Sequence, residues 1–153
     1  MCTTNSSRFK RNGKAEIKIS YHSLPGLLPG DQLLALNLET RTLSLLSHGP
    51  LLIMEQQFSV NEIRVISPIL DAFPHYSPYE VLLDHLSSDN VSATSIARWQ
   101  QRLQEAQRQG SWRHELRPLR RALSSLRSKL HYFDLEITNI RERGCSLTSL
   151  SSS

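Results

Sequence analysis

Basic residues recur at short intervals between Glu115 and Tyr132: Arg117, Arg120, Arg121, Arg127 and Lys129. A guanidinium is a planar fork of N–H donors that matches two phosphate oxygens at once, so such a cluster suits a polyanion. The apolar residues of the stretch fix how the cluster is displayed. Leu119, Leu123, Leu126 and Leu130 fall at i, i+4, i+7 and i+11, the spacing of a helix with one buried stripe. At about 100° per residue the opposite face carries Arg117, Arg121, Ser124, Ser125 and Ser128, flanked by Arg120 and Arg127. No carboxylate follows Glu115 in this helix, whereas a merely solvated helix gains from mixed signs four residues apart. Arginine beside small serines fits contact with a phosphate backbone and close approach to a groove.

Charge along the 153 residues supports this emphasis. The net +4 divides into +3 over residues 1–32, −5 over 33–97 and +6 over 98–153. Other chemistries lack their residues. Cys2 and Cys145 lie at opposite ends with no CxxC, and the six histidines show no metal-ligand spacing and read as surface or turn residues. There is no glycine-rich phosphate loop, no Ser–His–Asp set and no catalytic carboxylate pair, so neither an enzyme nor a cofactor is expected. Cys145 beside Arg143 reads as a small buried residue rather than a reactive thiol. No run reaches the ~18 apolar residues of a membrane span and no signal-peptide core follows the basic N-terminus, so a cytoplasmic protein is expected.

The elements that must position the arginines read as follows. Residues 1–32 form a flexible basic arm, polar and basic over 1–15. Three short strands, 33–38, 43–46 and 51–54, are separated by Glu39–Thr42 and by His48-Gly49-Pro50. Ser59-Val60-Asn61-Glu62 is a capping box opening a helix that carries Ile63, Ile66, Ile69 and Phe73 and is interrupted by Pro68. Ser77-Pro78-Tyr79-Glu80 reads as a second capping box with Pro at the first helical position. A Gln/Arg-rich helix over 94–109, with Ile96, Trp99, Leu103 and Ala106 on one face, ends at Gly110. The arginine helix spans 115–132, with Pro118 in its first turn. A β-hairpin, 136–140 and 145–147, then carries Arg141 and Arg143 at its tip, and 149–153 form a disordered tail.

In this order the chain resembles the winged helix-turn-helix output domain of OmpR/PhoB-type response regulators over about residues 33–148. Phe58–Arg64 looks like the hydrophobic–Ser/Thr–x–x–Glu–hydrophobic start of the family's first helix. Tyr76–Leu83 is similar to the Val-Ser-x-x-Glu-x-Leu opening of the second. Leu126-Arg127-Ser128-Lys129-Leu130 resembles the Leu-Arg-x-Lys-Leu end of the recognition helix. Ile137–Leu147 then follows the Ile-x-Thr-Val-Arg-Gly-x-Gly-Tyr-x-Leu wing, with Glu142 where the family usually has Gly and Cys145 where it usually has Tyr.

The resemblance implies an α+β winged helix with a small N-terminal antiparallel sheet and one inserted helix, 94–109. It implies a sequence-specific DNA-binding transcriptional regulator, recognition helix in the major groove and wing on the minor groove or backbone. Arg121, Ala122, Ser124 and Ser125 fall where the family's base and phosphate contacts cluster. The DNA-facing set is Arg117, Arg120, Arg121, Ser124, Ser125, Arg127, Ser128, Lys129, Arg141 and Arg143. Expected partners are double-stranded DNA, RNA polymerase or a regulatory protein through 94–109, and a second copy on DNA. No receiver domain, and hence no phosphorylatable Asp pocket, is expected in this chain. The alternative is a winged-helix interaction module with weak or no DNA binding, which a carboxylate at the wing tip favours.

Overall fold

The computed structural model describes residues 9–11, 15–48 and 51–150. Two short strands, β1 (Phe9–Arg11) and β2 (Ala15–Ile17), pair with each other. Next comes a four-stranded antiparallel sheet in the order β3 (Ile19–His22), β4 (Gln32–Asn37), β5 (Thr42–Ser47), β6 (Leu51–Gln57). The turn between β4 and β5 forms where polar residues replace leucines: Asn37 Oδ1 accepts from the backbone N–H of Glu39 at 2.9 Å and Thr40 at 3.0 Å.

The expected arm over 1–32 and the three-stranded sheet are both corrected here. β3 is a fourth strand, with Tyr21 opposite Ala35 and His22 opposite Leu34, and Leu24 is only 1% exposed. Residues 1–8 and 12–14 of that arm lie outside the described residues. The alternation Ile19-Ser20-Tyr21-His22 buries its polar member. The His22 imidazole is fully enclosed, its Nε2 2.9 Å from Ser20 Oγ and its Nδ1 without a partner among the described residues. It is thus no surface histidine.

Burial holds the His22 pKa below its ordinary value, only partly opposed by the charge of Asp71. An unfolded histidine gains its proton near pH 6.5, so between that value and the lowered folded pKa the unfolded chain holds more protons. Stability is expected to fall as pH drops from about 7 to 5. Urea midpoints measured across that window should slope less in His22→Gln, and an equal slope would remove His22 from the account.

Four helices follow, with α1 packed on α2 and α4, and α3 on α2 and α4. Helix α1 (Val60–Ala72) begins at the expected capping box: Ser59 N–H donates to Glu62 Oε1 at 2.7 Å, and Glu62 N–H to Ser59 Oγ at 3.2 Å. Pro68 is buried inside α1, and the helix continues past it. The second box does not form. Ser77–Pro78 instead make a two-residue strand, β7, and α2 (Tyr79–Ser87) follows with Pro78 as a cap that makes no side-chain bond.

Helix α3 (Ala93–Gln109) starts on an unforeseen capping box, in which Ser92 and Ser95 each accept the other's N–H at 3.1 Å. It ends at Gly110, whose φ of +76° only glycine adopts at no cost. Helix α4 (Trp112–Leu130) begins one turn earlier than expected, leaving Pro118 in its second turn at an exposed position.

A 3-10 turn (His131–Phe133) leads into β8 (Leu135–Ile140) and β9 (Gly144–Ser149). With β7 they form a three-stranded sheet in the order β7-β9-β8, with Ser77 opposite Cys145 and Pro78 opposite Gly144. β9 extends through Ser149, and Leu150 N–H donates to Asp134 O at 3.0 Å, which corrects the start of the expected tail at 149. Residues 151–153 of that tail lie outside the described residues.

One core joins the four-stranded sheet, the helices and the β8–β9 hairpin. It takes Leu34, Leu36 and Leu43 from the sheet, Ile66 and Ile69 from α1, and Leu119, Leu123, Leu126 and Leu130 from α4. Burying each such side chain contributes about 1.5–3 kcal/mol, so the leucine stripe alone fixes which way the rest of α4 must face.

Candidate nucleic-acid interface

With its leucines inward, α4 turns Arg113, Arg117, Arg120, Arg121, Ser124 and Ser128 outward, all exposed. Among the described residues, no carboxylate forms an ion pair with Arg113, Arg117, Arg120 or Arg121. The helix's own carboxylate is drawn away from this face: Glu115 Oε1 lies 2.9 Å from Arg102 Nε of α3, and that guanidinium stacks 4.8 Å from the Trp99 ring centroid. Four cations thus share one surface with no internal partner, an arrangement that attracts a polyanion.

The β8–β9 hairpin stands beside α4 and encloses a groove of about 470 Å³. Arg113, Arg120, Ser124 and Arg127 line it from the helix, Asn139, Arg141 and Glu142 from the hairpin. At its inner end the Tyr79 and Trp112 rings meet edge to face, centroids 5.9 Å apart. The desolvated Tyr79 hydroxyl is pushed above its ordinary pKa, further by Cys145, and is opposed by Arg120 and Arg127.

The expected set divides by location. Arg120, Ser124, Arg127 and Arg141 come together on the groove, with Arg117, Arg121, Ser125 and Ser128 further round the helix. Arg143 is exposed on the other side of the hairpin, facing a smaller cleft against α3. Three of the expected residues are engaged within the fold. Ala122 is 7% exposed and packs inward, so it offers nothing to a ligand. Arg127 is half-buried: its Nε donates to Ile137 O at 3.2 Å and lies 3.6 Å from Glu136 Oε1, tying α4 to β8. Lys129 Nζ donates to Gln57 O at 2.9 Å and Glu62 Oε1 at 2.8 Å, and sits 5.3 Å from the Phe58 ring centroid. Its charge is spent inside the fold.

Ser125 and Ser128 bond back to their own helix, to Ala122 O at 3.2 Å and Ser124 O at 3.5 Å. Desolvation raises the pKa of the Glu62 carboxyl, but hydrogen bonds from Lys129, the Ser59 backbone and Ser125, with the Lys129 charge, outweigh it and hold the group below its ordinary value. Arg113 joins this face because α4 starts at Trp112, ahead of the Glu115 start that the sequence suggests. The pattern Arg113, Arg117, Arg120, Ser124 at i, i+4, i+7, i+11 is the signal that would have found it.

The hairpin tip departs from a glycine turn. Arg143 N–H donates to Ile140 O at 2.9 Å, closing a turn in which Glu142 takes φ +59°. Its carboxylate accepts from Gln107 Nε2 of α3 at 3.2 Å, and the residue also lines the α4 groove. Just beyond, Gly144 lets β7 approach: a Cβ there would stand 2.0 Å from Ser77 O. Cys145, fully buried, is no reactive thiol, since burial pushes its pKa up to about 12 against the pull of Arg127.

No family model, curated protein or solved structure matches this chain. Its function must therefore be read from the surface itself. Among the described residues there is no cluster of His, Cys, Asp or Glu able to hold a metal ion. No described helix is long and apolar enough to cross a membrane.

Proposed function

We propose that this chain is a sequence-specific DNA-binding transcriptional regulator of winged-helix architecture, with α4 as recognition helix in the major groove and the β8–β9 hairpin as a wing on the adjacent minor groove or backbone. The observation that carries this reading is the exposed arginine face of α4, unpaired among the described residues and flanked across a groove by Arg141. An α-helix fits the major groove of B-DNA, where arginine reads guanine edges in bidentate fashion. The element order, sheet then helices then a three-stranded wing, supports the architecture. RNA polymerase or a regulatory protein remains the proposed partner of α3, and a second copy is the proposed partner on DNA.

Duplex binding measured against salt tests the reading. Neutralising four or five phosphates gives a slope of about −4 in log K against log salt. Absence of binding at about 50 mM salt, where such contacts are strong, would overturn it. Glu142 at the hairpin tip favours the second reading, an interaction module docking through α3 with weak or no DNA binding. Deleting α3 cannot separate the two, because Leu103 and Ala106 lie in the interior at 4% exposure each. Substitutions at exposed Arg98 and Gln104 can, by removing a captured partner while the fold stays intact.

A further inference from the structure

Helix α3 is fastened at three points along its length. Near its start, Ser95 Oγ donates to Asp84 Oδ2 of α2 at 2.6 Å, and Asp84 is 1% exposed. In its middle, Arg102 holds Glu115 of α4. Near its end, Gln107 holds Glu142 of the hairpin tip. The first two fix α3 to the helical core, so the third fixes the tip to that core through α3. The tip otherwise depends on its own turn and on Tyr79 N–H donating to Arg143 O at 2.9 Å.

Glu142 is an unusual choice for its position. A residue with a Cβ in the left-handed region costs about 1–2 kcal/mol relative to the right-handed one, and a carboxylate at a phosphate-facing tip repels its ligand. Both costs make sense if the carboxylate serves as a handle. The bond to Gln107 ties it to α3, and the tip straddles two clefts, with Arg141 on the α4 groove, Arg143 on the α3 cleft and Glu142 on the rim of both.

We infer that α3 is a brace that aims the wing, and that Gln107 is a positioning residue whose bond to Glu142 ties that carboxylate to α3 and thereby holds Arg141 beside α4. The part of this inference that concerns DNA rests on the function proposed above, whereas the brace itself does not.

Two measurements on the full chain test it. In the free protein, Gln107→Ala is expected to raise amide exchange at Tyr79 and Arg143, whose N–H groups donate to Arg143 O and Ile140 O, about threefold to tenfold, the loss of one modest hydrogen bond. Gln101→Ala, also exposed on α3, should leave those amides unchanged. Unchanged exchange at the tip in Gln107→Ala, or an equal rise in Gln101→Ala, overturns the brace. On duplex DNA, Gln107→Ala is expected to bind about threefold to tenfold more weakly than wild type. The double variant Gln107→Ala/Glu142→Gln should match Glu142→Gln alone, because no carboxylate is left for Gln107 to hold. The same loss in both backgrounds overturns the role of the carboxylate. Wild type that binds no duplex would overturn the DNA reading, and the exchange result would still decide the brace.

Discussion

Gly144→Ala is expected to unfold the β7–β9–β8 sheet and to lower the stability of the whole chain by about 3 kcal/mol, the upper part of the range for overpacking. The added methyl would lie 2.0 Å from Ser77 O, 2.7 Å from Ser77 C and 2.8 Å from Pro78 Cα. All three are backbone atoms, so no side chain can rotate to make room. Relief requires β7 to part from β9, which breaks the pairings Ser77–Cys145 and Pro78–Gly144 and loosens the wall over Cys145. Chemical denaturation reads the loss. A midpoint within error of wild type would mean that β7 is not paired in solution.

The second large effect concerns binding. Arg120→Ala and Arg121→Ala are each expected to weaken duplex affinity by about 1–3 kcal/mol if the side chain reads a base, about fivefold to more than a hundredfold. Where the contact is to phosphate, the loss is uniform across sequences and the salt slope falls by about 1. Neither change should alter the midpoint of unfolding, since both side chains are exposed and make no ion pair with a described residue. Arg127→Ala should do the reverse and lower stability, by releasing Ile137 O and Glu136. Affinity and salt slope unchanged in both Arg120→Ala and Arg121→Ala would exclude α4 as the helix that meets DNA.

Local rules were legible in the sequence, whereas contacts made at a distance were not. The box at Ser59 and Glu62 formed as expected because both partners lie within one turn and nothing else competes for Ser59. The same pattern at Ser77 failed because β9, more than sixty residues later, takes that backbone into a sheet. The leucine period of α4 fixed which way its residues face, and Arg117, Arg120, Arg121 and Ser124 are exposed accordingly. Period does not limit reach, however. Arg127 and Lys129 sit at the two margins of the buried stripe, and their long chains turn inward to Ile137, Glu62 and Gln57. β3 escaped notice because its one fully buried side chain is a histidine, a residue that composition places outside.

The short strand at Ser77–Pro78 also bears on how such a surface could diversify. The hairpin leaves the fold joined to the residues that start α2, so its heading depends on these two positions as well as on the Gln107–Glu142 bond. A change there would swing Arg141 through an arc while every side chain at the interface stayed the same. The register between α4 and the hairpin, and with it the stretch of duplex each could touch, would thus be open to inheritance from the hinge rather than from the contacts.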